Sequence, residues 1–401
     1  MNLKRLLEKK KIKVIGLMSG TSANGIDACL IEIEKKAIGL RNSNPGLKIR
    51  QLGFKTFRFP NSLQRKIIKV SSPGYQDVDE IIRLDFLLGE YFTNAAKKMA
   101  ESCGFKLKDI DLIGSHGQTV RHLPSFKKMG NYMVRGTLQI GEPMIISTPT
   151  GIVTVADFRR KDIALGGEGA PLTPLAHFYL FHKEKKAQGI LNLGGITNLT
   201  FLPRDKSRKK VWGMDVGPGN MLIDNLMRKY FHKNFDKDGN TALKGKVINP
   251  ILDELLGKIF LLLKKKKSLG REDFDQEFTN DFIRGCRKYS AKPEDLVITA
   301  SELTVRSIHR NYRKFFKKEA EIEELILCGG GALNRYLFLR LKELFYPAKV
   351  HLSDDLGYDP LTVEPISFAI FAFLTLLQLR GDILELAKAG KTIISGKICL
   401  P

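Results

Sequence analysis

The stretch KVIGLMSGTSANGID (Lys13–Asp27) sets an apolar, β-branched run against a turn rich in glycine, serine, threonine and asparagine. Apolar and polar residues then alternate over Ile26–Glu34. Strand, turn and strand are the expectation, a hairpin with a glycine-rich tip. A second stretch, QGILNLGGITNLTFL (Gln188–Leu202), repeats the theme with Gly194 and Gly195 at its turn. The chain has 401 residues, more than one core usually serves. Two such hairpins, each opening one half, suggest a duplicated mixed α/β fold, although hairpins are common enough to recur by chance.

The segments around them fit that class. Val78–Ser102 has helical periodicity, with Ile81, Ile82, Leu84, Phe86, Leu87 and Leu88 expected to supply an apolar face. Asp111–Gly114 reads as a short buried strand running into the polar Ser115–Gln118, and Gly151–Ala156 as another strand. Trp212–Met214 is a short strand leading to Asp215–Asn220, with Asn220 capping a helix over Met221–Tyr230. Glu302–Phe316 is helical. Glu324–Cys328 is a strand ending in Gly329, Gly330 and Gly331, with a helix from about Leu333. Ile366–Leu379 is apolar but too short to span a bilayer, which fits a buried helix.

Several of these turns carry groups suited to phosphate chemistry. In Gly20–Gly25 the glycines let the backbone approach a polyphosphate, and Thr21 and Ser22 add hydroxyls. Ile26 and Asp27 stand where a Walker A lysine would follow, so this is not a P-loop, and an ordinary hairpin turn fits equally well. Asn192–Asn198, with Gly194 and Gly195, could hold phosphates in the same way. Asp215 ends a strand before a glycine-rich turn, a rigid and open post for a general base, or simply a capping position. Gly329–Gly331 offer bare backbone to an adenine or ribose, or to a closely packed helix. His116, Gln118 and Thr119, with Arg121 and His122 nearby, could bind sugar hydroxyls. They lack a third ligand at metal-binding spacing.

Charge and cysteine usage narrow the class. The formal charge is +23, from 66 Lys and Arg against 43 Asp and Glu, and a basic field favours anionic ligands. The excess is dispersed, and no RNA-binding or zinc-finger signature accompanies it, so nucleic acid is not the expected partner. The five cysteines are isolated, which suits a reducing compartment. Met1–Lys13 is basic without a signal-length apolar core. A soluble, cytoplasmic protein without a membrane partner is the expectation.

Taken in order, these motifs resemble those of the anhydro-N-acetylmuramic acid kinase family. The resemblance rests on Gly16–Ser22 with Gly25 and Asp27, Gly114–Thr119 with Arg121 and His122, and Thr137–Gly141. It continues through Ala156–Arg160 with Asp162, Gly166–Leu172, Leu191–Gly195, Asp215 with Gly217–Asn220, and Leu327–Ala332. It implies two ribonuclease-H-like domains of the actin-like ATPase type flanking a cleft. They would span residues 1–150 and 151–365, with 366–401 returning to the first. It implies ATP with Mg²⁺ carried on its phosphates rather than by a direct protein site. The sugar would be 1,6-anhydro-N-acetylmuramic acid, cleaved by water and phosphorylated on O6, and the assembly a homodimer. Carried over by motif, Asp215 matches the base. Gly20, Thr21, Ser22, Asn24, Gly25, Asp27, Gly194, Gly195 and Gly329–Gly331 match ATP-binding positions. His116, Gln118, Thr119, Arg160 and Glu364 match sugar-binding ones.

Three positions depart from the family pattern. Asn24 stands where an aspartate is usual, Lys161 where a third arginine is usual, and Pro365 follows Glu364. Lysine keeps charge but not the bidentate geometry of arginine. Lys161 leaves open a kinase for another 1,6-anhydro-sugar such as levoglucosan. Asn24 leaves open a catalytically weak, actin-like nucleotide-binding regulator.

Overall fold

The computed structural model describes residues 6, 8–20, 22–35, 47–205, 210–265, 269, 273–317, 321–378 and 396–401. Thr21 and residues 379–395 of the segment 366–401 expected to return to the first domain lie outside these residues. The chain divides into two compact units, Met1–Leu180 with Glu364–Pro401, and Phe181–Val363.

In the first unit, β1 (Lys11–Ser19), β2 (Gly25–Lys35) and β3 (Leu47–Arg58) form an antiparallel meander. The helix Val78–Ser102 then returns the chain to β4 (Leu112–Met129), which pairs parallel to β1. β5 (Tyr132–Ile140) folds back on β4 as a hairpin. β6 (Thr154–Ala156) adds parallel to β4, and β12 (Lys397–Cys399) pairs antiparallel to β6. The sheet order is β12-β6-β4-β1-β2-β3. β6 and its neighbours thus tie 151–180 into this unit, so it extends past residue 150.

The second unit repeats the plan. β7 (Gln188–Leu193), β8 (Thr197–Leu202) and β9 (Trp212–Gly217) form an antiparallel meander. The helix Pro293–Asn311 precedes β10 (Glu324–Cys328), which pairs parallel to β7, and β11 (Lys349–Leu352) pairs parallel to β10. The order β11-β10-β7-β8-β9 matches β6-β4-β1-β2-β3 strand for strand. That repetition is the duplicated mixed α/β arrangement suggested by the two hairpins, and it fits the paired ribonuclease-H-like domains that the resemblance implies.

Each core forms where the sheet meets its helices. Ile15, Leu17, Ala28 and Leu30 of the first sheet pack with Leu88, Phe92 and Ala96 of the helix Val78–Ser102. The other face of β1 and β4 carries Gly16 and Gly114, which are register partners. A Cβ on Gly16 would lie 1.9 Å from the Pro365 carbonyl oxygen, and one on Gly114 would lie 2.2 Å from that of Phe368. The helix Val363–Gln378 therefore rests directly on main chain. Pro365 is tolerated there because the first helical turn has no use for its missing N–H. In the second unit Leu191, Leu199 and Val216 pack with Leu226, Leu303 and Ile308.

Two local expectations change. β4 has 18 residues rather than a short strand ending near Gly114, because pairing with β5 carries it on past Gly117. Asn220 does not cap its helix with its side chain. The Asn220 amide donates instead to the Leu193 carbonyl at 3.0 Å.

Candidate functional site

The glycine tip of the first unit is a tight turn closed by the Ala23 N–H on the Gly20 carbonyl at 3.0 Å. Side chains hold it from behind. The Ser19 hydroxyl lies 2.6 Å from Gln118 Oε1 and 2.8 Å from the Gly25 carbonyl. The Gln118 amide donates to Gly20 and Thr119 carbonyls at 3.4 and 3.2 Å. The Gln64 amide donates to the Ser22 carbonyl at 3.2 Å. Ser22 and Asn24 are exposed, and the Ser22 hydroxyl donates to Asn24 Oδ1 at 2.9 Å. Asp27 is half-buried. Burial raises its pKa, while the Thr56 hydroxyl, donating at 2.6 Å, opposes that.

The glycines of this tip differ in purpose. A Cβ on Gly25 would lie 2.5 Å from the Phe57 carbonyl, so the β2–β3 pairing excludes one. A Cβ on Gly20 would find nothing nearer than Met18 Cε at 3.9 Å. The protein makes no steric demand for glycine at Gly20. Open space beside a polar turn is what a close-lying phosphate requires.

A cluster of one guanidinium and two imidazoles forms on β4 and the neighbouring helix Phe158–Ala164. His116 is buried, and its Nε2 accepts the Arg159 Nε–H at 3.1 Å. Its Nδ1 lies 3.1 Å from the Gly117 carbonyl, which assigns the proton to Nδ1. Burial, and then the Arg159 charge, push the His116 imidazole down to about 3, so it stays a neutral acceptor. Burial lowers Arg159 to about 10 while the Glu364 carboxylate pulls the other way, so the guanidinium remains a cation at neutral pH. Arg159 also donates to the Gly169 carbonyl at 2.9 Å. The loop bearing Gly169 is wrapped on Asp162, whose Oδ2 accepts the Gly169 N–H at 2.8 Å. His122 belongs to the same neighbourhood. Burial, then Arg159, lower it to about 4.

The expected sugar-binding residues divide accordingly. His116 and Glu364 meet Arg159. Arg160 is exposed and pairs with Asp157 at 3.2 Å instead. Gln118 braces the glycine tip. The Thr119 hydroxyl accepts from the Gln139 amide at 3.3 Å. Among the adjacent arginines the sequence could not select Arg159. The roughly 100° step of the helix Phe158–Ala164 makes that choice.

In the second unit three glycine-bearing segments lock into one another. The Gly194 and Gly195 carbonyls accept the N–H groups of Asn220 and Met221 at 2.9 and 3.2 Å. Gly219 has φ +59, and a Cβ there would lie 2.4 Å from the Gly194 oxygen. A Cβ on Gly329 would meet Asn192 Oδ1 at 2.4 Å, and one on Gly331 would meet Asn220 Oδ1 at 2.7 Å. Gly330 is the exception, since its Cβ would find only Leu361 Cδ2 at 3.9 Å. Bare backbone is therefore left open at Gly330, where a flat ligand could lie.

Asp215 lies within β9, two residues before its end at Gly217, because the strand runs past the expected Met214. It is half-buried, and its Oδ2 accepts the Leu269 N–H at 2.7 Å. The helix Pro293–Asn311 fixes the backbone just beyond it. Ser307 and Asn311 donate to the Val216 carbonyl at 2.8 and 2.9 Å, and Thr304 donates to that of Gly219 at 2.8 Å. A carboxylate so oriented near a strand end can take a proton from a water without rearranging. Among the described residues no group of three or more His, Cys, Asp or Glu could hold a metal ion. No helix among them is long and apolar enough to cross a membrane.

The family model for anhydro-N-acetylmuramic acid kinase matches residues 12–401. The anhydro-N-acetylmuramic acid kinase of Caldanaerobacter subterraneus subsp. tengcongensis is 38% identical over 400 residues, covering 99% of both chains. That of Bacillus cereus (strain G9842) is 36% identical over 390 residues, covering 97% of this chain and 99% of its own. With the family model matching residues 12–401 and relatives covered almost end to end, the chain belongs to the anhydro-N-acetylmuramic acid kinase family.

Proposed function

We propose that the protein uses ATP to convert 1,6-anhydro-N-acetylmuramic acid to N-acetylmuramic acid 6-phosphate, a step of cell-wall sugar recycling. The observation that carries this is the Asp215 carboxylate, held by the Leu269 N–H near the end of β9, beside glycine loops that leave backbone open at Gly330. Asp215 accepts a proton from water as the water oxygen bonds to C1 of the sugar. The C1–O6 bond breaks, and O6 takes the γ-phosphoryl group as ADP leaves. Water thus supplies the new hydroxyl on C1, and no separate acid is needed for O6, which leaves with the phosphoryl group. A single base serves ring opening and transfer, which need positioning and charge stabilisation more than covalent help.

The exposed turn at Gly20 is suited to the phosphates, and the bare backbone at Gly330 to the base or ribose. Mg²⁺, carried on the ATP phosphates and their waters, would neutralise charge developing during transfer. Asn24 and Asp27 are the tip side chains suited to hold its waters. Arg159, kept cationic and oriented by His116, suits the sugar's lactyl carboxylate, because a guanidinium pairs bidentately with a carboxylate. The protein would act in the cytoplasm as a homodimer.

The test is a reaction with 1,6-anhydro-N-acetylmuramic acid, ATP and Mg²⁺ in ¹⁸O-labelled water, read by mass spectrometry. The expected product is a 6-phosphate with the label on C1. An unlabelled product would remove water, and with it the role of Asp215. Turnover of levoglucosan but not of the muramic sugar would remove the lactyl assignment to Arg159.

A further inference from the structure

The second unit has a groove of about 700 Å³ that the chemistry above leaves unused. Its walls carry Arg306, Arg310, Arg313, Lys314 and Arg340, and its floor is Leu256, Phe260 and Leu344. The groove lies at the far end of β10 from the glycine loops. The Tyr312 hydroxyl accepts the Ile322 N–H at 3.0 Å just before β10 begins, whereas Gly329–Gly331 follow its end. A five-residue strand separates the two ends by roughly 15 Å. The groove is therefore not the surface on which the nucleotide is proposed to lie.

Its cations are organised rather than merely numerous. Glu302 is 1% exposed and accepts from Arg306 Nε and Arg340 Nε, both at 2.7 Å, and from the Tyr336 hydroxyl at 2.8 Å. One buried carboxylate thus fixes two guanidinium groups in the wall. Arg340 also pairs with Glu343 at the rim. Arg310 lies over the Phe260 ring at 5.0 Å. Arg313 and Lys314 are exposed, and neither forms an ion pair among the described residues. Five cations therefore face two carboxylates. Burial, with Arg313 and Lys317 next, pushes the neighbouring His309 imidazole down, so protonating it would add to an already positive site.

Helix dipoles account for basic residues in the last turns of Pro293–Asn311 and Arg335–Leu344. They do not account for a concavity with an aromatic floor. Nor do they account for the π-helical turn Tyr312–Phe316 that projects Arg313 and Lys314, a distortion often associated with binding sites. The volume lies in the range of small-molecule sites, roughly 300–1,000 Å³. A nucleic-acid backbone would instead need an extended track of cations.

We propose that this groove binds a small phosphorylated molecule, its phosphate on Arg310, Arg313 and Lys314 and its apolar or ring portion against Phe260 and Leu344. The guanidinium pair held by Glu302 supplies a preformed wall for the same anion.

The experiment is calorimetric titration of inorganic phosphate and of phenyl phosphate into the full chain, saturated beforehand with a non-hydrolysable ATP analogue. Saturable one-site binding is expected, with phenyl phosphate about tenfold tighter because its ring covers the apolar floor. The double variant Arg313→Glu/Lys314→Glu should abolish binding of both probes while the kinase rate without probe stays unchanged. Phe260→Ala should remove only the advantage of phenyl phosphate. Absence of saturable binding would overturn the proposal, as would equal binding by the double variant. So would binding of an RNA oligonucleotide at this face that phosphate does not compete away. Arg313 and Lys314 are exposed, so the decisive variant does not depend on a core substitution.

Discussion

The two glycine hairpins occupy equivalent places in equivalent sheets, yet they are held differently. The Gly20–Gly25 tip is braced by side chains, those of Ser19, Gln118 and Gln64. The Gly194–Gly195 tip is braced chiefly by main chain, through its carbonyls to the N–H groups of Asn220 and Met221 and by the close approach of Gly219, while the Asn192 and Asn220 side chains pack on Gly329 and Gly331. Side-chain bracing leaves a tip able to adjust to a ligand. Main-chain bracing makes a rigid platform, and Asp215 is mounted on it. The duplicated fold thus gives one half an adaptable tip, proposed to take the phosphates, and the other a rigid mount for the carboxylate proposed as the base.

That contrast can be broken in order of expected effect. Asp215→Asn should lower turnover by about a thousandfold or more, the scale of losing a general base, with ATP affinity unchanged by calorimetry. Retained turnover would remove the base from the platform. Gly219→Ala should destabilise the protein by about 1–3 kcal/mol, because its Cβ overlaps the Gly194 oxygen at a left-handed φ. Gly20→Ala should leave the melting temperature in place and raise KM for ATP. If both variants melted early, the two tips would not differ as described.

Within the first unit, Arg159→Lys should raise KM for the sugar about tenfold through loss of bidentate pairing, whereas Arg160→Ala should change it little. The reverse order would return recognition to Arg160. Acid should also separate the halves. His116, His122 and His177, all in the first unit, are depressed mainly by burial to about 3, 4 and 3, from 6.5. The unfolded chain therefore takes these protons first, and stability falls as pH drops below about 6.5, down toward the folded values. In the second unit one described histidine, His309, is depressed in this way, against three in the first. Although burial opposes it, Arg340, Tyr336 and Arg306 hold the Glu302 carboxyl there below 4.5, so its contribution is lost only at lower pH. Hydrogen exchange between pH 6.5 and about 5 should show protection lost first in β1, β4 and the helix Val363–Gln378. Earlier loss in β7–β10 would reverse the comparison. The smallest effect is Asn24→Asp, which should lower the Mg²⁺ concentration for half-maximal rate by a few-fold at most, since the exposed side chain acts through waters.

Much of the fold was legible because hairpin and strand signals are local. Lys13–Asp27 and Glu324–Cys328 declare themselves by alternation, burial and glycine. The β4–β5 hairpin was not legible. Its outer residues, such as Phe126, Tyr132 and Met133, are exposed, so no buried face imposed a pattern. At the site, residue types and order were readable, but partners were not. Gln118 carries the same polar groups whether it binds a sugar or braces Gly20. Arg159 and Arg160 differ only by one helical step. The Leu269 N–H on Asp215 comes from a distant segment with no motif at all.

The helix that lies on Gly16 and Gly114 comes from the other end of the chain. During synthesis β1 and β4 emerge early, and their bare glycine face stays uncovered until the residues after Val363 arrive. At the usual pace of translation that interval is roughly ten to fifty seconds. The second unit is contiguous, and all its strands are out before that helix appears. The half that is made first is therefore the half completed last, and it is the one a chaperone would have most reason to hold.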